Sequence, residues 1–410
     1  MTGADETGAS PGERLDHVRQ WRAGVVQAVS PPGARDLGPG YVDPALLPVG
    51  LLRDAYDRAL TEYGSAALSY GHNPGVSALR ETLAARAGGG RCGSANVILT
   101  SGTSQALYLA STALARTGQV VLVEETCYDL GRQIFTDCGL AVRRVRCDES
   151  GMDPHALEAA LGELAGNVAF VYLIPTFHNP TGRVVPLSRR RELVAAAARH
   201  GALIVEDDAY ADLAFAPGEI PPTLAELADY RGVLRLCTFS KTLGPGLRLG
   251  WMLAEEDLAR RLVSHGLFVS GGSLNHTTSL AVAVLLRDGD YDRHLEHLRE
   301  RLRERHDALA GRLLADLPEE VALTPSRGGF FLWLTHRGGR NEAELLTAAE
   351  RAGVLVGAGS RFGVTPWPSV RLAYSFNPPA VLDTAAQRLA EAWNRPPPAV
   401  LESDHALHKP

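Results

Sequence analysis

The sequence predicts an α/β protein with a mostly parallel, seven-stranded sheet sandwiched by helices, together with a smaller α+β domain. From residue 96 onward, short apolar runs alternate with segments of helical length. The runs are almost continuously apolar, which is typical of parallel strands that are buried on both faces. The seven runs occupy residues 96–100, 120–124, 142–146, 168–174, 202–206, 233–239 and 249–254.

Composition excludes several classes of protein. The chain has 410 residues, which is enough for two domains, with 45% apolar and 21% charged residues, as in an ordinary globular enzyme. Its net charge of −6 disfavours a nucleic-acid or anionic-membrane partner. No apolar run approaches the roughly 18 residues that span a bilayer.

The five cysteines are scattered and include no Cys-x-x-Cys pair, so neither a zinc site nor a disulfide framework is expected, and we predict no metal. Residues 1–12 lack the basic and apolar regions of a signal peptide. The expected location is therefore cytoplasmic.

The predicted large domain covers residues 51–289. The small domain combines residues 13–50, with a helix at 13–29, and residues 290–395, while 1–12 and 396–410 are predicted tails. A long charged helix at 291–317 carries His294 and His297. Both histidines are expected on its solvated face.

Lys241 is the residue around which the predicted site is organised. It follows the apolar run 233–239 and precedes Gly244-Pro245-Gly246, which can continue neither a strand nor a helix. A lysine at the mouth of a buried strand loses hydration, so its pKa should fall and its amine becomes available for Schiff-base chemistry. Arg248 adds a fixed positive charge suited to a phosphate.

Further polar residues follow other predicted strands, where parallel sheets bind ligands. Gly102, Thr103 and Ser104 lie between a strand and a helix, and such a turn can bind an anion, although Ser and Thr are also ordinary helix caps. Asp207 ends another strand, in a segment that could equally be an acidic turn. Asn179 stands in an Asn-Pro-Thr-Gly segment that could be a simple turn.

The segment Thr238 to Gly250, Thr-Phe-Ser-Lys-Thr-Leu-Gly-Pro-Gly-Leu-Arg-Leu-Gly, resembles the Schiff-base segment of the class I and II aminotransferases. These are pyridoxal-phosphate enzymes of fold-type I, and the likeness is greatest to the aminoadipate and kynurenine aminotransferase branch. The resemblance implies that Lys241 binds pyridoxal 5'-phosphate and that Arg248 grips its phosphate, with the hydroxyls of Thr238 and Ser240 as further contacts.

The same resemblance, which runs from about residue 35 to 390, implies roles for the other candidates. Catalytic roles fall to Lys241, Asp207 and Tyr210. The implied cofactor contacts are Gly102, Thr103 and Ser104 with the phosphate, Asp207 with the ring nitrogen, Asn179 and Tyr210 with the ring 3-oxygen, and Tyr128 stacked on the ring. The implied substrate contacts are Arg371 for the α-carboxylate, with Asn179, Gly40 and Tyr70.

Tyr70 matches a residue that reaches the neighbouring subunit's phosphate in relatives, so a homodimer with shared active sites is expected. Ser104, Thr126 and Ala358 depart from residues common in the family, which often has Gln, Pro and Pro there. These departures do not decide the outcome of the reaction.

The expected reaction moves an amino group from an L-amino acid to a 2-oxo acid, with 2-oxoglutarate as the expected acceptor. The same machinery serves lyases, replacement enzymes, cyclases and oxidases, and this alternative stays open. A transcription regulator with an aminotransferase-like domain is a rival from another class, disfavoured because the residues before Tyr70 include no basic domain.

Overall fold

The central sheet of the computed structural model, which describes residues 33–87, 91–272, 274–324 and 326–395, has the seven strands that the sequence predicts. Numbered along the chain, the strands lie in the spatial order 1-7-6-5-4-2-3, and the seventh is antiparallel to both neighbours. The strands are Val97–Thr100, Val120–Glu124, Ala141–Val145, Val168–Leu173, Ile204–Asp207, Val233–Thr238 and Gly250–Leu253. The predicted fold class is confirmed.

Alternating side chains of one strand enter two separate cores. In the strand Val120–Glu124, Val121 and Val123 pack in one apolar cluster, whereas Val120 and Leu122 pack in the other. Because both faces are buried, the strands need no polar alternation, and their β-branched residues suit the pleated surface. Every predicted strand boundary lies within two residues of the observed one.

Helices cover both faces of the sheet, and the helix Pro154–Glu163 begins at a side-chain cap. The Asp153 side chain accepts hydrogen bonds from two backbone amides of the first turn after it, and Pro154 occupies the first helical position. None of the described helices is both long and apolar enough to cross a membrane. The helices are Val49–Tyr63, Ser77–Ala87, Thr103–Ala113, Asp129–Asp137, Pro154–Glu163, Leu187–Arg199, Leu224–Leu227, Glu256–Val263, Gly266–Gly271, His276–Arg287, Asp290–Asp316, Glu342–Arg351 and Pro379–Asn394.

A second sheet is antiparallel, with strands in the order Val321–Thr324, Phe331–His336, Ser369–Ala373 and Gly357–Ala358. The short strand Arg35–Asp36 pairs in parallel with Val354–Leu355. The amide of Ala373 then donates to the Leu37 carbonyl at 2.7 Å, so the segment after residue 36 lies against this sheet. The predicted domain limits stay a prediction, and the predicted helix 13–29 and the two tails lie outside the described residues.

The long helix Asp290–Asp316 supports the segment that carries Lys241. Tyr291 donates to the Thr242 hydroxyl at 3.2 Å, and His294 Nε2 donates to the Thr242 carbonyl at 2.7 Å. The expectation of a solvated His294 is wrong, because its position one helical turn after buried Tyr291 turns it inward, and burial lowers its pKa. His297, six residues after Tyr291, is exposed as expected.

Candidate active site

Lys241 follows the sixth strand, and its amine faces a largely dehydrated cleft. Nζ donates to the carbonyl of Gly40 at 2.9 Å and lies 5.4 Å from the centre of the Tyr210 ring. Burial, reinforced by the positive charge of Arg371 and opposed by the carboxylate of Asp207, lowers the pKa of Lys241 to about 8. The predicted fall in pKa therefore has the predicted physical cause.

Asp207 ends the fifth strand and is only 5% exposed. Its Oδ2 accepts a 2.7 Å hydrogen bond from the Tyr172 hydroxyl, whereas its buried Oδ1 has no hydrogen-bond partner among the described residues. Burial raises the pKa of Asp207 to about 6, against the lowering effect of the Tyr172 hydrogen bond. Oδ1 is thus a buried acceptor that lacks a donor, and such atoms are costly unless a ligand satisfies them.

The turn after the first strand combines a helix N-terminus with a guanidinium. Gly102 is the N-cap of the helix Thr103–Ala113 and has φ of 86°, which a side-chain-bearing residue rarely adopts. Arg248 Nη2 donates to the Ser101 carbonyl at 2.8 Å and would lie 3.1 Å from a Cβ on Gly102. Thr103 and Ser104 occupy the first helical turn, where free amides and the helix dipole favour an anion.

Hydroxyl groups extend this turn on the side of the lysine strand. Thr238 Oγ1 donates to Ser240 Oγ at 2.9 Å, and the amide of Ser240 donates to Thr238 Oγ1 at 3.1 Å. Asn275 Nδ2 donates to Ser101 Oγ at 3.4 Å, which adds a side chain that sequence reasoning did not assign.

Two tyrosines flank the space between Lys241 and Asp207. Tyr128 is half-buried, and burial together with the nearby Asp207 carboxylate raises its pKa to about 12. Tyr210 is 5% exposed, with its ring centre 5.3 Å from that of Phe330. Burial also raises the pKa of Tyr210, so both phenols stay protonated at neutral pH and can act as hydrogen-bond donors.

Arg371 lies in the second sheet and is buried. Its Nη1 donates to Asn179 Oδ1 at 2.9 Å and its Nη2 donates to the Gly38 carbonyl at 2.7 Å, whereas its buried Nε has no partner among the described residues. Burial lowers the pKa of Arg371 to about 10. The guanidinium meets no carboxylate in these contacts, which suits it to bind one from a substrate.

Two aromatic rings hold the Arg371 guanidinium. Its carbon lies 4.2 Å from the centre of the Phe331 ring and 4.6 Å from that of Phe362. These cation–π contacts stabilise a charge that has lost its water. Phe331 also limits the residue at position 40, because a Cβ on Gly40 would approach its ring to 2.9 Å.

The structure gathers most of the predicted residues around one cleft, and Tyr70 is the exception. Tyr70 is 87% exposed, and among the described residues it makes no hydrogen bond to another candidate residue. This exposure is compatible with the predicted contact to a neighbouring subunit.

The donors and acceptors of the cleft fit pyridoxal phosphate. The amine of Lys241 suits its aldehyde, the free Oδ1 of Asp207 suits a protonated ring nitrogen, and the turn at Gly102 with Arg248 suits its phosphate. These are the residues that would hold it.

Sequence reasoning missed Tyr172, Phe331 and Phe362. Tyr172 and Phe331 lie within apolar segments, where an aromatic residue ordinarily means core packing, and Phe362 lies in the glycine-rich segment 357–363. Tyr172 lies beside Asp207, from which it is 35 residues away in the sequence. Phe331 and Phe362 lie beside Arg371, at sequence separations of 40 and 9 residues. No local signal could have identified Tyr172 or Phe331.

Comparison with known proteins now decides the family. The family described as aminotransferase class I and II matches residues 49–389 of this chain. The chain belongs to the class I and II aminotransferases. The predicted family and enzyme class are confirmed.

One similar protein is the 2-aminoadipate transaminase of Thermus thermophilus, 35% identical over 308 residues, which are 74% of this chain and 75% of that protein. Among solved structures, LysN, the α-aminoadipate aminotransferase of Thermus thermophilus, has a TM-score of 0.79 at 30% identity and covers 94% of each chain. That structure contains N-(5'-phosphopyridoxyl)-L-leucine. The predicted likeness to aminoadipate aminotransferases is thereby confirmed.

The sequence is also similar to a protein described as a regulator. YisV of Bacillus subtilis, an uncharacterised HTH-type transcriptional regulator, is 30% identical over 402 residues, which are 95% of this chain and 81% of that protein. Regulators and enzymes therefore share this fold, so the fold alone does not assign the function.

Proposed function

We propose that this aminotransferase uses pyridoxal phosphate bound to Lys241 to move an amino group from an L-amino acid to a 2-oxo acid, with 2-oxoglutarate as acceptor. The observation that carries the proposal is one cleft that combines the Lys241 amine, whose pKa is about 8, with the unpaired Oδ1 of Asp207. When bound, the cofactor supplies an electron-accepting ring that stabilises negative charge at the substrate Cα.

Composition independently supports a chemical role for Lys241. Lysine and arginine together number 41, yet only Lys241 and Lys409 are lysines. A chain that otherwise uses arginine for positive charge has kept lysine at the end of a buried strand. Arginine stays protonated and cannot act as a nucleophile or base, whereas a dehydrated lysine can.

The chain's own residues would divide the work as follows. Arg371 binds the substrate α-carboxylate, and its hydrogen bond to Asn179 fixes the orientation of both side chains. Asp207 accepts from the ring nitrogen, while Asn179 and Tyr210 donate to the ring 3-oxygen. Released Lys241 would take the proton from the substrate Cα and deliver it to the carbon that was the cofactor's aldehyde carbon, as base and then acid. The remaining contacts are Gly102, Thr103, Ser104, Thr238, Ser240 and Arg248 with the phosphate, and Tyr128 with the ring face.

The proposal includes a homodimer in which Tyr70 reaches the other subunit's phosphate. Leu68, Tyr70 and Val269 are 77%, 87% and 60% exposed. They lie on neighbouring segments, because a Cβ on Gly272 would approach the Gly71 carbonyl oxygen to 2.3 Å. Exposed apolar residues in one area favour a protein contact. A second copy of this chain is the proposed occupant, and a cytoplasmic location remains part of the proposal.

A trapping experiment tests the attachment site. The protein is incubated with pyridoxal phosphate, reduced with borohydride and digested, and the modified peptide is identified by mass spectrometry. The label is expected on Lys241. Lys409→Arg is a matched control that should keep the label and the visible absorbance, whereas Lys241→Arg should lose both. Labelling of Lys409 alone would refute the assignment.

A second experiment separates transamination from the alternative reactions. An amino acid is added without any 2-oxo acid, and the expected result is one equivalent of 2-oxo product per site with conversion of the cofactor to its amine form. Adding 2-oxoglutarate should restore the aldehyde form. Continued product formation with the aldehyde form unchanged would instead support a lyase, replacement or cyclase reaction.

A further inference from the structure

A buried tyrosine lies directly behind the carboxylate of the proposed ring-nitrogen site. Tyr172 is in the fourth strand, and its hydroxyl donates to Asp207 Oδ2 at 2.7 Å. The two strands are parallel neighbours, with Tyr172 opposite Val205. Tyr172 and Asp207 are 1% and 5% exposed, so water does not compete for this hydrogen bond.

Packing around the Tyr172 ring fixes the direction of its hydroxyl. The centre of the Phe135 ring lies 5.2 Å from that of Tyr172 in an edge-on arrangement. On another side is Gly131, where a Cβ would come within 3.4 Å of the hydroxyl oxygen. The absence of a side chain at Gly131 leaves the room that the hydroxyl occupies.

The hydrogen bond can run in only one direction. Burial and the neighbouring Asp207 carboxylate raise the pKa of Tyr172 well above its usual value, so its phenol keeps its proton. Cys127 and Tyr128 also face the phenol, and both reinforce this effect. The pKa of Asp207 is in turn raised by burial and by Asp208, and it is lowered by the Tyr172 hydrogen bond and by Lys241. The phenol donates, and the carboxylate accepts.

We propose that Tyr172 is a positioning residue for the cofactor ring, because its hydroxyl holds Asp207 Oδ2 and leaves Oδ1 free to accept from the protonated ring nitrogen. This inference rests on the proposed function. The hydrogen bond does two things: it fixes the rotation of the carboxylate, and it reduces the basicity of the carboxylate so that the shared proton stays on the ring nitrogen.

Removal of the hydroxyl should therefore weaken the interaction with the ring nitrogen specifically. In Tyr172→Phe the carboxylate becomes more basic and more mobile, so the proton moves towards Asp207 and the ring loses part of its charge. The affinity for pyridoxal phosphate should fall by roughly tenfold or more, the effect expected of one hydrogen bond to a charged group. The apparent pKa of the bound cofactor's visible absorbance should rise, because a less positive ring withdraws fewer electrons from the lysine-linked imine.

The test compares two cofactors in wild type and Tyr172→Phe. Dissociation constants are measured by protein fluorescence for pyridoxal phosphate and for its deaza analogue, in which carbon replaces the ring nitrogen. The matched control is Tyr230→Phe, which also removes a hydroxyl from a buried tyrosine, here one that donates to the Ala87 carbonyl at 2.8 Å. Thermal unfolding of each cofactor-free variant shows that it is folded.

A loss of affinity for pyridoxal phosphate in Tyr172→Phe, with no loss for the deaza analogue and none in Tyr230→Phe, would support the proposal. Equal losses for both cofactors would overturn it, because the hydroxyl would then serve only the packing of the cleft. Unchanged affinity and absorbance pKa would overturn it as well.

If wild type itself fails to bind pyridoxal phosphate, the proposed function fails rather than the role of Tyr172. If Tyr172→Phe does not fold, Tyr172→His, which keeps a ring with a donor, should bind more tightly than Tyr172→Leu, and equal binding would overturn the proposal.

Discussion

At the scale of single residues, the cleft displaces the pKa values of an acid and a base towards each other. Burial lowers the pKa of Lys241 to about 8 and raises that of Asp207 to about 6. Each ionised group stabilises the other, but dehydration is the larger effect on both. The cleft thus provides an amine that is readily neutral and a carboxylate that needs a positive partner.

The first prediction concerns the pH at which Lys241 captures its cofactor. Only the neutral amine attacks an aldehyde, so the rate of capture by cofactor-free protein should rise with pH to half its maximum near the lowered pKa of about 8. Stopped-flow absorbance after mixing with pyridoxal phosphate measures this rate, and Nα-acetyl-lysine is the reference amine. A midpoint as alkaline as that of the reference would contradict the dehydrated environment of Lys241.

The second prediction concerns the stability of the cofactor-free protein. The folded pKa of Asp207, about 6, exceeds its ordinary 3.8, so its favourable contribution is complete below about pH 4 and is lost as pH rises through 6. Asp207→Asn cannot ionise and should be more stable than wild type at neutral pH, by on the order of 2 kcal/mol. The variant should also bind pyridoxal phosphate more weakly.

Urea unfolding of both cofactor-free proteins, at acidic and at neutral pH, measures the difference. The gain of Asp207→Asn should shrink at acidic pH, where wild-type Asp207 is protonated. A gain independent of pH would mean that the charge of Asp207 is not its cause.

At the scale of secondary structure, the site depends on what lies at the ends of strands and helices. The helix Asp129–Asp137 carries Gly131 under both Tyr128 and Tyr172, where a Cβ would lie 3.1 Å from the Tyr128 ring and 3.4 Å from the Tyr172 hydroxyl. Glycine costs helix stability relative to alanine, by about 1 kcal/mol. The space that it leaves for two site tyrosines is the compensating benefit.

The third prediction follows from Gly131. Gly131→Ala should change the melting temperature of the cofactor-free protein little, because the helix-favouring effect of alanine opposes the cost of crowding, yet it should weaken cofactor affinity by roughly tenfold as the added methyl displaces Tyr128 and Tyr172. Differential scanning fluorimetry and a cofactor titration measure the two effects. Gly162→Ala is the matched control, because this exposed helical glycine has no atom within 4 Å of a built Cβ. Equal cofactor affinity in both variants would contradict the prediction.

At the scale of the whole molecule, the predicted contact of Tyr70 with a phosphate site is not made within the described chain. The candidate residues from both sheets converge on a single cleft, whereas Tyr70 faces away from contacts within its own chain and is 87% exposed. A homodimer in which each subunit lends Tyr70 to the other would complete the phosphate site. Such an arrangement makes activity a property of the pair of chains.

The fourth prediction is complementation between two defective subunits. Lys241→Ala should be inactive and Tyr70→Ala much less active, because each lacks one part of both sites. Mixed dimers contain one site with both wild-type residues, so refolding an equal mixture should recover roughly one quarter of wild-type activity. Assays after denaturation and joint renaturation measure the recovery, and separately renatured proteins are the control. Activity no higher than the mean of the separate proteins would exclude shared sites.

The sequence by itself determined the sheet, its strands and most of the candidate residues that the structure brings together. Strand periodicity and turn residues are local properties, and the carboxyl ends of parallel strands gather whatever follows them, so Gly102, Asp207 and Lys241 could be expected at one edge. The resemblance of the Lys241 segment supplied the cofactor.

Only the tertiary structure decided how those residues are supported. Tyr172 donates to Asp207 from a neighbouring strand, Phe331 and Phe362 enclose Arg371, and His294 turns inward to Thr242. Each of these contacts joins residues from different elements, and its distance depends on how strands and helices pack. A linear pattern records which residues are apolar or polar, but it does not record which of them meet.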